Sequence, residues 1–82
     1  MSSTFLDIGT LVIYEHWIQE DSEMVLVMGI ITKVNRKIWN NHTIFIPKYN
    51  TYRMENRCKI YTYTEDNWEN LHIERPHLTD KN

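Results

Sequence analysis

No stretch of ten or more residues in this chain repeats its apolar side chains at helical spacing, and its 82 residues include no alanine. Val, Ile, Thr, Tyr, Phe and Trp together occupy 32 positions, and these are the side chains that suit a pleated, half-buried surface. A chain built this way is expected to fold as sheet, with at most one helical turn, near Asp66 to Asn70. The hydrophobic share is 41%, with only two Gly and two Pro, so enough apolar side chain exists to offset the entropy of ordering. The length fits a single domain, with a core over 8–74 and a tail at 75–82, and a chain this short buries only about 60% of its unfolded surface.

Strand patterns punctuate the sequence. Ile8 to Ile18, IGTLVIYEHWI, predicts a strand starting just after Gly9, with Leu11 and Ile13 alternating against Val12 and Tyr14. The acidic run QEDSE at 19–23 has no apolar anchor and reads as a loop. A second strand follows over Met24 to Val34, MVLVMGIITKV. Its even positions Met24, Leu26, Met28, Ile30 and Val34 make the more apolar face, broken at Thr32, and Gly29 in its middle predicts a bulge or bend. After the polar connector NRKIWNNH, the run TIFIP predicts a short third strand ended by Pro47, which cannot donate to a ladder. Residues 48–57, KYNTYRMENR, fit either a hairpin extension or a loop. CKIYTYT at 58–64 reads as an alternating strand, and EDNWENLHI as a tight turn leading into a last strand with Leu71 and Ile73 on one face, stopped at Arg75-Pro76. Trp17 and Trp68, lying in or beside strand patterns, are expected to pack.

A Gly followed by Leu-Val, a variable loop, a Gly-Ile-Ile strand, a hairpin, an aromatic-rich strand, a short turn carrying Trp68 and a closing Asn-Leu-His-Ile together resemble the small SH3-like β-barrel proteins encoded by tailed bacteriophages. The likeness runs over residues 8–74 and rests on Gly9, Leu11, Val12, Gly29, Ile30, Ile31, Trp68, Leu71 and Ile73, all of them packing or turn residues. The Asn-rich connector and the 48–57 segment depart from the compact members. The resemblance implies an all-β fold, a five-stranded, strongly bent antiparallel sheet closing into a partly open SH3-like barrel, and a phage origin. It implies no activity, because function resides in sites rather than in folds.

Catalytic chemistry has little to work with. Cys58 is the only cysteine, so no intramolecular disulfide forms, and it is expected to be a partly buried, inert thiol. His16, His42, His72 and His77 stand 26, 30 and 5 residues apart, without the spacing of a zinc site, so no metal is expected. Glu65, Asp66 and Glu69 read as a solvated turn rather than paired carboxylates for acid–base work. There is no Gly-rich phosphate cradle and no Gly-x-Ser-x-Gly, and a core this small leaves little room for a deep pocket. The expectation is a protein that is not an enzyme and uses no cofactor. MSSTFLDIG has neither a basic start nor an apolar stretch of signal-peptide length, and no run approaches the ~20 residues of a membrane span. A cytoplasmic setting is expected, the host cytoplasm for a phage-encoded chain, with no membrane partner. Asn41-His42-Thr43 matches a glycosylation acceptor, which has no meaning without export.

Charge is the feature with most contrast. Residues 1–32 carry five acidic and no basic side chains, 33–59 seven basic and one acidic, and 60–82 two basic and five acidic, although the net charge is only −2. In the basic middle, Lys33, Arg36, Lys37, Lys48 and Arg53 are interleaved with Ile38, Trp39, Tyr49 and Tyr52. Cations among aromatics suit a binding surface, where carboxylates or phosphates are neutralised while rings pack. Cross-strand pairing of opposite charges is the structural alternative, at about 0.2–1 kcal/mol per pair. For Trp39 the sequence leaves two outcomes open: an exposed anchor at a hairpin tip, or a ring folded into the core. The expected role is a small interaction module that binds a protein partner through these nine residues, with Trp39 as anchor. A nucleic-acid binder using the same cations is the alternative, and a self-assembling virion component the third.

Overall fold

β-favouring side chains at alternating positions form one antiparallel sheet of five strands in the computed structural model, which describes residues 5–75. The strands are β1 (Leu11–Ile18), β2 (Glu23–Val34), β3 (His42–Ile46), β4 (Thr51–Glu55) and β5 (Ile60–Thr62), followed by one helix, α1 (Glu65–Glu74). Their order across the sheet is β4-β3-β2-β1-β5: a four-strand meander, after which the chain returns to pair β5 with the other side of β1. β4 and β5 are not paired with each other, so the sheet curls without closing into a barrel.

The main core lies on one face of the sheet, where Val12 and Tyr14 of β1, Val25, Val27 and Ile31 of β2, Ile44 and Ile46 of β3 and Ile60 of β5 pack together. The opposite face carries a smaller cluster in which Ile13 and Leu26 are covered by Leu71 of α1, with Tyr61, Tyr63 and Trp68 alongside. The even positions of β2 make its more apolar face in sequence, yet the main core takes the other face, and of the even positions Leu26 is buried in the smaller cluster. Val25, Val27 and Ile31 enter the main core, while Met24 and Met28 are exposed. The strand is apolar on both faces because each is at least partly covered, and alternation then carries little contrast.

Gly29 does not bulge. It pairs in regular register with Val12, and the irregularity falls later, between Ile31 and Lys33, where Thr32 is the extra residue. Its missing side chain matters for another reason: a Cβ there would collide with a methyl of Ile44 and lie 3.2 Å from the carbonyl oxygen of Phe45. Gly9, at φ 94°, makes the left-handed turn that delivers the chain to β1, and its N–H donates to the Ile31 carbonyl at 2.7 Å.

The expected closing strand is instead α1, ten residues long. Thr64 caps it by accepting from the Asn67 N–H at 2.9 Å, and Glu65 and Asp66 place negative charge beside the helix N-terminus. Trp68 and Leu71, three residues apart, reach the sheet, whereas Ile73 is 75% exposed. The 48–57 segment resolves into a 3-10 turn, Pro47–Tyr49, and then β4. Of CKIYTYT only Ile60–Thr62 is strand, because Asn56 caps a second 3-10 turn, Arg57–Lys59, by accepting from the Cys58 N–H at 3.0 Å. Cys58 is exposed rather than partly buried. Trp17, expected to pack, is 46% exposed, while Trp68 does pack. Among the described residues no helix is long and apolar enough to cross a membrane. The tail beyond Arg75, with His77, lies outside the described residues.

Candidate functional site

β2 and β3 run antiparallel, so the connector between them, residues 35–41, forms the tip of a hairpin. The Asn35 N–H donates to the Asn41 carbonyl at 2.8 Å, closing the tip, and the Asn35 side chain accepts from the Lys37 N–H at 3.1 Å. Trp39 is 75% exposed and Ile38 41%. The Trp39 carbonyl accepts from the Asn56 side-chain amide at 3.0 Å, so the backbone under the indole is held while the ring stands in solvent. Arg36 lies over the Phe5 ring at 4.5 Å, and Phe5 stacks on His42 at 5.8 Å. The tip therefore presents an apolar knob beside the cations of Lys33, Arg36 and Lys37.

The nine residues singled out from sequence do not form one patch. Lys33, Arg36, Lys37, Ile38 and Trp39 gather at the tip. Lys48 and Tyr49 sit in the turn at the other end of β3, roughly 15 Å away along a five-residue strand. Tyr49 packs against the main core, 5.0 Å from the His16 ring. Tyr52 and Arg53 are neighbours on β4 and so take opposite faces. Tyr52 sits beside Phe45 at 4.9 Å, and Arg53 is opposite Ile44, on the side of Tyr14 and His16.

Two histidines prove to be core residues. His42 is fully buried, and its Nε2 accepts from the Leu6 N–H at 2.9 Å. Nδ1 must then carry the proton and donate to the Asn41 Oδ1 at 2.5 Å, which makes the ring neutral. Burial, and then the Arg57 charge, hold its pKa below the usual imidazole value. His16 is 5% exposed, and burial followed by Arg53 lowers it likewise. Among the described residues no three His, Cys, Asp or Glu side chains gather as a metal site would require.

A groove escaped the sequence reading altogether. Between the second half of β1 and the facing β4 runs a cleft of about 510 Å³, which Trp17 and Arg53 share with a second hollow of about 230 Å³. At its floor the Tyr14 hydroxyl donates to the Glu55 carboxylate at 2.8 Å. Burial first, and then this bond, push the phenol well above its ordinary range, so Tyr14 stays a donor. Arg75 pairs with Glu15 at the rim. No sequence signal could have marked this groove, because its residues come from five separate stretches, in β1, at Met24, in β4, over 58–61 and at Arg75, and meet only through the curl of the sheet.

Compared with known proteins, the chain matches no family model, no curated protein and no solved structure.

Proposed function

We propose that this protein is a small, non-enzymatic interaction module whose hairpin tip, residues 33–39, docks on an acidic, partly apolar surface of a protein partner, with Trp39 as the anchor. The observation that carries it is the tie between Asn56 and the Trp39 carbonyl beneath an indole left 75% exposed. An aromatic ring held out on a fixed backbone loses little freedom on binding, and such rings dominate binding energy when a partner covers them. Lys33, Arg36 and Lys37 would form the polar rim. The scatter of the other basic residues over both ends of β3 supports a protein partner over nucleic acid, whose phosphates favour a continuous basic track. An exposed lone thiol at Cys58 fits a reducing cytoplasm. A phage origin is proposed only on the sequence likeness to the small SH3-like phage proteins, whose closing Asn-Leu-His-Ile run lies here in α1 rather than in a strand.

The test pairs stability with binding. Trp39→Ala should leave the unfolding free energy within about 0.5 kcal/mol of the parent, as exposed substitutions do. Capture of the partner from host lysate should weaken by about 2 kcal/mol or more. Loss of several kcal/mol of stability would instead place the ring in the core. Nucleic acid in the captured fraction, lost steeply with added salt, would transfer the assignment to the nucleic-acid reading.

A further inference from the structure

β1 is only partly paired on one side. β2 covers its other side along its whole length, whereas β5 reaches only from Val12 to Tyr14. The direction of its backbone groups follows from two bonds: the Leu11 carbonyl accepts from the Tyr63 N–H at 2.9 Å on the β5 side, and the Thr10 carbonyl accepts from the Ile31 N–H at 3.0 Å on the β2 side. Alternation along the strand then points the N–H and C=O groups of Glu15 and Trp17 into the groove, two donors and two acceptors that no described strand meets. The facing wall is β4, whose outer edge is also unpaired among the described residues. In the adjoining hollow, the His16 Nδ1 is buried without a hydrogen-bond partner. Arg53 and Lys59 line the groove and form no ion pair among the described residues, whereas Glu15 is engaged by Arg75 and Glu55 by Tyr14.

We infer that this groove is a second binding site, which takes an extended, acidic segment of a partner protein as an added strand on the free edge of β1. The unpaired half, Glu15 to Ile18, is about 13 Å long, enough for four strand residues. Successive side chains of such a segment point to opposite faces. One lies against the Trp17 indole, 46% exposed, and favours an apolar residue. The next faces Arg53 and Lys59 and favours a carboxylate. Main-chain pairing supplies the attachment and the alternation supplies the choice of sequence. The site shares no residue with the hairpin tip, so it stands or falls independently of the role proposed for Trp39.

The test uses a capped heptapeptide alternating valine with glutamate, and a counterpart with lysine in place of glutamate, titrated into isotope-labelled full-length protein. Saturable shifts centred on the Glu15 and Trp17 amides, with slowed hydrogen exchange there, are expected for the glutamate peptide. The lysine peptide should bind at least about tenfold more weakly, as loss of a charge-assisted contact implies. Arg53→Glu, at an exposed position, should reverse that preference, and its gain of lysine-peptide binding would show that the variant is folded. No saturable binding at millimolar glutamate peptide, shifts centred away from β1, or a preference unmoved by Arg53→Glu would each overturn the assignment.

Discussion

At Gly29 the lack of a side chain leaves room for the Ile44 and Val12 side chains to lean over the backbone of β2. Gly29→Val is therefore expected to cost about 1–3 kcal/mol through overpacking, with no change in the denaturant slope. Urea denaturation checks this, and an unchanged midpoint would mean that Ile44 moves aside freely. The importance of this position was legible in the sequence, but the reason was not. A glycine inside a strand signals either a bulge or a close approach, and only the neighbours brought by β3 decide between them. Trp39 was a parallel case. Its polar surroundings left exposure and burial equally open, and only the hairpin geometry, which sets it at a tip, decides for exposure.

Among the elements, β1, β2 and β3 were visible within a residue or two because each holds a run of β-favouring side chains between loop signals. α1 was expected as no more than one turn near Asp66 to Asn70, followed by a strand, although its opening was written in plain form, with Thr64 followed by Glu65, Asp66 and Asn67. Only Trp68 and Leu71 reach the sheet from it, too few positions for a helical period to emerge, and Leu71 with Ile73 imitates strand alternation. Thr64→Ala should cost about 1 kcal/mol, as loss of an N-cap does. Thermal unfolding would register the loss, and no change would show that docking against Ile13 and Leu26 holds the helix without its cap. β4 was undecidable from sequence because four of its five residues are polar or charged, or aromatic with a polar tip, and its strand character comes from pairing with β3.

For the molecule as a whole, stability should depend on pH through two buried rings. His16 and His42 both have pKa values below the usual 6.5, chiefly because burial disfavours the charged ring. The unfolded chain then binds more protons than the folded one as pH falls below about 6.5, so stability is complete above that value and declines beneath it, by up to about 1.4 kcal/mol per pH unit for each histidine. Denaturation at pH 7.5, 6 and 5 should show the midpoint falling. A flat profile would mean that neither ring resists protonation. The site at this scale was the least legible part, since the charge blocks along the sequence are redistributed by the curl: the basic middle supplies the tip, the far end of β3 and one wall of the groove.

One amide stands between the two proposed surfaces. Asn56 gives its Nδ2 to the Trp39 carbonyl, and its Oδ1 receives the Cys58 N–H in the turn that roofs the groove with Cys58 and Lys59. A side chain fastened at both halves acts as a short lever, so the hairpin tip and that turn move as one body rather than as two independent loops. Asn56→Asp keeps the acceptor and deletes the donor. It should release the tip alone, with lower backbone order parameters over 36–40 and little change at Cys58. Equal loosening at both places would show that the turn, too, depends on the tip for its rigidity.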